Sequence, residues 1–474
     1  MSSLDSTLGS NASPQRPPDQ APVADRAPGV LDAPHAASTI GMLALISLLA
    51  FEQLAVATVM PVVAGALDGT ALYAAAFGAA VAAGMLGMVL AGRWCDRSGP
   101  LPPLLAGIAA FVLGLVIAGA APDMATLVGG RLLQGGGGGM MSVALYVVVG
   151  RHYPPALHAR IFAAFAAAWV LPAIVGPALA GLIARHLGWR WVFLAAALLA
   201  VPAALLLQRG LARLRPAADQ PAPAGGRQRA SLGLAAGAAA SAALLYAGGE
   251  PMTARPLWLA IALVGLAVCA PRLLPAGTLR GRTGLPAVIA LRGLVAATFF
   301  SAEVFIPLLL TSERGLSPVQ AGLVLTGGAL GWSAGSWLQG RDREAPSAAA
   351  SIRRLRLGFM MLAGGTLSVA LALWPAVPIA AAALGWAIGG MGIGMVFPTL
   401  SVLTLRFAPA HEQGAASSAL QLADSLFSAV GLALASGLLA ALRPASALLA
   451  YGAGFGFAAG LSVLGALLAG RARA

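Results

Sequence analysis

Four ionisable residues stand inside stretches built almost wholly of apolar side chains: Glu52, Arg131, Glu303 and Asp424. A carboxylate facing hydrocarbon is destabilised by several kcal/mol. Glu52, the sole charge between residues 39 and 64, is therefore expected to face an interior, to be protonated or to be paired. Arg131 is followed three residues later by Gln134, on the same face of a helix. Arginine keeps its proton, so beside a carboxyl it favours the anion, while exclusion of water favours the neutral acid. A carboxyl moved between those two surroundings takes up a proton in one and gives it up in the other. The structural alternatives are a Glu52 hydrogen-bonded to a neighbouring helix and an Arg131 whose head reaches the interface. Glu303 and Asp424 lie midway along apolar runs with no evident basic partner, Arg292 being about three turns from Glu303. They suit cation binding or further proton sites, with Gln421 one turn from Asp424, or else structural hydrogen bonds. Trp169, Phe299, Phe300, Phe305 and Phe427 stand nearby; they could line an apolar pocket for a flat or cationic molecule, or simply pack helices.

The elements that must position these groups are membrane helices. Of the 474 residues 59% are hydrophobic and only 9% charged, against roughly a quarter charged in soluble domains, which excludes a soluble globular fold. Apolar runs cover 39–64, 70–92, 101–121, 124–150, 161–185 and 187–208, then 232–249 and 256–274, then 285–311, 317–339, 355–375, 377–405, 413–441 and 445–470. Most approach or exceed the ~20 residues that cross a bilayer core, so the sequence predicts an all-α polytopic membrane protein of about fourteen helices. The predicted organisation is a disordered tail (1–38), a six-helix bundle (39–208), a linker (209–231), an inserted helix pair (232–274), a second linker (275–284), a second six-helix bundle (285–470) and a short tail (471–474). The first span is expected to serve as an uncleaved anchor. Arginines crowd alternate connections, which places both termini in the cytoplasm. The net charge of +13 is scattered rather than patched, so nucleic acid is not an expected partner. Cys95 and Cys269 do not form a disulfide framework. No spacing suits a metal, and no Gly-rich loop followed by Lys suits a nucleotide, so no cofactor and no ATP drive are expected. His152, His158 and His411 fall in connections and are expected to be solvated.

Three motifs bear on mechanism. Gly92-Arg93-Trp94-Cys95-Asp96-Arg97-Ser98-Gly99 packs an acid and two arginines into a connection between long spans, where ion pairs to neighbouring helix ends can form and break. The segment 135–155 matches 390–410 in its glycine-rich start, apolar middle, and an arginine and a proline at equal spacing, and Gly87–Arg93 parallels Gly335–Arg341. Two matches in the same order point to a duplication of six helices. Pro172, Gly176, Pro177 and Gly181, one turn after Trp169, bend the fifth span and leave it a smooth face.

These residues resemble the major facilitator superfamily of transporters. Gly92, Asp96, Arg97 and Gly99 match its loop motif between the second and third helices, although Pro100-Leu101-Pro102-Pro103 follows where basic residues are usual. Arg131, Gln134 and Gly135 match its fourth-helix motif. Gly176-Pro177 is similar to its antiporter motif, with Pro172 in place of the usual upstream glycine. The segment Phe51–Pro61 resembles the first helix of fourteen-helix drug:proton antiporters, with Glu52 where Asp is usual. The resemblance implies two six-helix bundles around a substrate cavity, and a proton-coupled exporter of small hydrophobic or cationic molecules. It implies a cell-membrane protein, expected to act as a monomer and not as an enzyme. Glu52, Arg131, Asp424 and Glu303 are then the candidate proton-coupling residues. Gln134, Trp169, Phe299, Phe305 and Gln421 are candidates for substrate contact. Gly92, Asp96, Arg97, Gly99, Pro172, Gly176 and Pro177 are candidates for the conformational switch. A proton-coupled uptake permease is the alternative, and a non-transport membrane protein stands behind it.

Overall fold

The computed structural model describes residues 29–32, 35–211, 225–247, 255–341 and 347–473; among these it is helical, with no strand. The helices are α1 (Ala36–Ala66), α2 (Tyr73–Ser98), α3 (Leu101–Gly119), α4 (Met124–His152), α5 (Pro155–Ala167), α6 (Val170–His186), α7 (Arg190–Leu211), α8 (Gly225–Ala247) and α9 (Arg255–Leu273). The second half holds α10 (Leu285–Ser312), α11 (Pro318–Gly340), α12 (Ala348–Ala370), α13 (Ile379–Phe407), α14 (Gln413–Leu442) and α15 (Ala447–Leu468). Eleven stretches are long and apolar enough to cross a membrane, with α5 and α6 together forming one. The protein is a multi-pass membrane protein. Helix α11 has the length to span but is diluted by Gln320, Ser333, Ser336 and Gln339. The described apolar parts of α8 and α9, Leu232–Leu245 and Leu257–Leu273, are shorter. Most of the expected tail 1–38, part of the linker 209–231, and Glu250 lie outside the described residues.

Two hydrophobic cores carry the fold. One gathers α1 to α7 around Met42, Phe111 and Phe193; the other gathers α10 to α15 around Phe359, Trp386 and Tyr451. Helix starts are fixed locally. Asp123 accepts the Thr126 amide at the start of α4, and Ser317 with Gln320 forms a reciprocal cap on α11. Gly99 ends α2 with φ of 81°, a conformation that favours glycine over residues with a Cβ.

The sequence repeat is visible as a repeat of contacts. A side chain on Gly135, Gly87 or Gly139 would run into the backbone of Ala80, Gly136 or Gly84 respectively, so α2 and α4 touch backbone to backbone. In the second half the same three approaches recur. Gly390 meets Gly328, Gly335 meets Met391, and Gly394 meets Trp332, now between α11 and α13. On its other face α4 presents Gly137 to Gly107 and Phe111 of α3. The run of five glycines is thus a double-sided packing surface.

The fifth span is broken. Residues 168 and 169 leave the helix, because Pro172 cannot donate to the carbonyl of Ala168 and its ring crowds that turn. Its two pieces keep different company: α5 packs mainly on α11 and α13 of the second half, and α6 on α1 of the first. Helix α8 lays Ala235, Ala238, Ala239 and Ala242 into a cluster with Met85 and Val89 of α2 and Ala419 and Ala423 of α14, with α9 beside it. Close contacts between the two cores lie at the arginine-rich end: Gly92 against Gly414 and Ser418, Gly150 against Gln413, and Gly340 against Ala163.

Candidate functional site

Glu52 sits midway along α1, and Arg131 two turns into α4; they are 6% and 5% exposed. Arg131 Nη1 donates to Glu52 Oε1 and, at 2.8 Å, to Gln134 Oε1, while its Nε reaches the Ala76 carbonyl of α2 at 3.4 Å. One guanidinium therefore ties α1, α2 and α4 together. Gln134 lies one turn beyond Arg131, which lets it share Nη1 with Glu52. Its own Nε2 is buried without a partner among the described residues. Breaking a buried pair of this kind costs about 3–5 kcal/mol, because the survivor is left charged and dry.

A second buried pair corrects an expectation. Asp424 was read from sequence as lacking a basic partner; instead Arg292 of α10 grips it in a fork, Nε to Oδ1 at 2.6 Å and Nη2 to Oδ2 at 2.8 Å. Arg292 Nη1 also donates to the Phe397 carbonyl and to Ser401 Oγ, both at 3.2 Å, and the guanidinium lies 3.5 Å from the Phe397 ring centre. The arginine side chain is 3% exposed and the aspartate 17%. Glu303, about three turns further along α10, is half-buried and has no hydrogen-bond or ion-pair partner among the described residues.

The predicted aromatic contacts divide. Phe299 is buried in a ring cluster, stacked on Trp386 at 4.8 Å with Phe300 and Trp332 edge-on, and Trp332 in turn meets Phe397 at 5.0 Å. Phe305 is buried within the second core, a packing position. Trp169 lies at the break between α5 and α6 and is 40% exposed. Gln421 is half-buried, and its carbonyl accepts from Ser425. Extending the repeat, Trp386 stands where Arg131 stands in the first half, so an aromatic stack replaces the charge pair there.

The acid of the loop motif meets backbone as well as charge. Asp96 accepts from two backbone amides at the start of α14, Gly414 at 2.6 Å and Ala415 at 2.8 Å. A carboxylate there also meets the positive end of the helix dipole. Gly92 permits the approach, since a Cβ would come within 2.7 Å of the Gly414 carbonyl. Arg97 lies in the last turn of α2 and Gly99 closes it. Pro172 is buried, Gly176 faces Phe51 and Leu54 of α1, and Pro177 is exposed within α6. Two histidines expected in solvent are not there. His158 is buried with Nε2 2.9 Å from the Tyr153 carbonyl, and His152 is half-buried with Nε2 3.1 Å from Ser38 Oγ. His411 is exposed, as expected. Outside the spans, the Asp123 carboxyl is held below its ordinary range by the Thr126 amide.

Two internally repeated helical cores, touching at one end and carrying charge pairs within the apolar interior, are the architecture of a membrane transporter built from two halves. The sequence model of the Major Facilitator Superfamily matches residues 42–432, and the chain belongs to that superfamily. It is 27% identical over 415 residues to a Mycobacterium tuberculosis protein named "Probable multidrug-efflux transporter", covering 82% of this chain and 84% of that one. It is 29% identical over 368 residues to the puromycin resistance protein of Streptomyces alboniger, covering 73% and 70%. Among solved structures, the fold is shared with the human organic anion transporter MFSD10, with a TM-score of 0.66 at 16% identity over 91% of this chain and 98% of that one. The proton:xylose symporter XylE gives 0.64 at 15% identity, over 91% and 94%.

Proposed function

We propose that the protein is a proton-coupled exporter of small hydrophobic or cationic compounds, working by alternating access in the cell membrane. The observation that carries this is the Glu52–Arg131–Gln134 group, a dry carboxyl and guanidinium on α1 and α4 set in an apolar interior, where ionisable residues are costly and mark proton or ion pathways. Separation of the two charges would let Glu52 take a proton, and their reunion would expel it. The names of the sequence relatives favour efflux over uptake. In this proposal α8, α9 and α11 also cross the bilayer, giving fourteen spans as two six-helix bundles plus an inserted pair. The arginine-rich end is cytoplasmic with both termini, and one chain suffices. Asp96 then holds the cytoplasmic end shut by capping α14, and Glu303 is available to a cationic substrate.

The test is proton-driven efflux of a panel of dyes and antibiotics from inverted vesicles, compared at matched expression. Glu52→Gln should abolish proton-driven movement while substrate still binds, and Glu52→Asp should retain part of the activity. Full proton coupling in Glu52→Gln would remove Glu52 from the mechanism. Accumulation driven into whole cells would turn the assignment toward uptake.

A further inference from the structure

Tyr146 belongs to α4, the helix of Arg131, yet its hydroxyl reaches across to the second half. It lies 3.5 Å from Ser401 Oγ of α13, the same oxygen that accepts from Arg292 Nη1. The Tyr146 ring is held from behind by Phe162 and Phe165 of α5, at 4.8 and 6.2 Å between ring centres. An unbroken line therefore runs from Asp424 through Arg292 and Ser401 to Tyr146, crossing from one core to the other. Asp424 is more exposed than Arg292, so water reaches its carboxyl more readily than the guanidinium.

We propose that Tyr146 is a positioning residue through which the first half senses whether Asp424 is ionised, a proposal that rests on the transporter being proton-coupled. While Asp424 is a carboxylate, its two oxygens fix the planar fork and so aim Nη1 at Ser401, whose hydroxyl meets the phenol. When a proton from cleft water neutralises Asp424, the fork loses its charge partner. Nη1 is no longer aimed, and the Tyr146 contact loosens with it. That contact helps hold the cores together, so protonation favours their separation at the arginine-rich end. Among the described residues, Arg292 is the charged group in ion-pair range of Asp424, and Tyr146 is the ionisable group facing the pair from α4. Phe397 and Ser401 of α13 are neutral, and α2, α8, α9 and α15 place no ion-pair partner on it. Glu303 lies about three turns away on α10.

The experiment measures distance rather than transport. Spin labels at Ala156 and Glu412, exposed positions at the arginine-rich end of opposite halves, are followed in liposomes from about pH 5 to about pH 8, a range in which buried carboxyls titrate. The parent should show a long-distance population that grows as pH falls. Asp424→Asn should show it at every pH. Tyr146→Phe should shift the balance roughly two- to ten-fold toward separation at high pH, the worth of about one neutral hydrogen bond, and flatten the pH step. Tyr146→Phe combined with Asp424→Asn should add nothing to Asp424→Asn alone. Ser401→Ala tests the same link should the tyrosine variant fold poorly, and is expected to flatten the step as well. A parental pH step in Tyr146→Phe, or two substitutions whose effects multiply, would overturn the proposal. Transport by the parent that shows no dependence on a proton gradient would instead overturn the functional assignment, whereas proton-coupled efflux surviving in Glu52→Gln would remove only Glu52 and leave this step in place.

Discussion

Replacing Asp96 with Asn removes the charge from the cap on α14 while keeping the shape of the side chain. The carboxylate accepts two amides, from Gly414 at 2.6 Å and Ala415 at 2.8 Å, one on each oxygen. An amide keeps a single acceptor oxygen, so one charge-assisted bond is lost, the other becomes neutral, and the dipole of α14 loses its counter-charge. Together these amount to about 2–3 kcal/mol. At 1.4 kcal/mol for each factor of ten, the balance between joined and separated ends shifts roughly thirty- to 150-fold toward separation. Ser418, buried on α14 beside Gly92, offers the reporter. In a background where Cys95 and Cys269 are serine, Ser418→Cys should react with a membrane-permeant maleimide only while α2 and α14 are apart. Asp96→Asn should then raise the labelling rate by the same thirty- to 150-fold factor if opening is fast relative to labelling. A rate within about two-fold of the parent would show that the cap contributes little, since a factor of two is under 0.5 kcal/mol.

Three further outcomes are expected. Arg131→Ala leaves Glu52 buried and unpaired, and should lower the melting temperature in detergent more than Arg131→Ala with Glu52→Gln, by a difference of about 3–5 kcal/mol in stability; equal melting would mean the pair is not buried as described. Gly139→Ala should abolish folded expression, because its Cβ would collide with the backbone of Gly84, whereas Gly181→Ala, with nothing within 4 Å of its Cβ, should be neutral or stabilise by about 0.5–1 kcal/mol. Asp123 contributes stability that is present above about pH 4 and lost as pH falls further, since its folded carboxyl is held below the unfolded value. Thermal melts of Asp123→Ala should therefore differ from the parent near neutral pH and converge in acid.

Much of this was legible in the chain. Glu52 and Arg131 announce themselves because a charge in an apolar run must find a partner, and each run has only one strong candidate. The glycine run and its repeat announce helix contacts, and the structure realises them residue for residue. Arg292 and Asp424 escaped because 132 residues separate them and nothing local links α10 to α14. The signal was depth. Both helices begin at the arginine-rich end, Arg292 near the start of α10 and Asp424 only one turn deeper in α14, about 6 Å at 1.5 Å per residue. The histidines were misplaced for a different reason. Pro154-Pro155 reads as a break, yet Pro155 occupies the first turn of α5, where a missing N–H costs nothing, so His158 falls inside a helix and is buried. The mode of action of Asp96 was hidden too, since backbone amides at a helix start carry no sequence signature of their own.

The break between α5 and α6 has a mechanical consequence. If the two cores rock apart, a continuous fifth helix, attached to one core along half its length and to the other along the rest, would have to bend, and its stiffness would enter the activation barrier. The chain has removed part of that stiffness in advance: the Ala168 amide still reaches the Ala164 carbonyl and Ala173 the Trp169 carbonyl, but Pro172 has no N–H to give to the Ala168 carbonyl, so the ladder is weakened at the joint. The joint is a softened hinge, so α5 can travel with α11 and α13 while α6 stays seated on α1. The barrier to rocking is then set more by surfaces that slide or part than by the elasticity of this helix. A substitution that heals the joint, such as Pro172→Ala, should slow exchange between the two arrangements without changing how tightly either one binds.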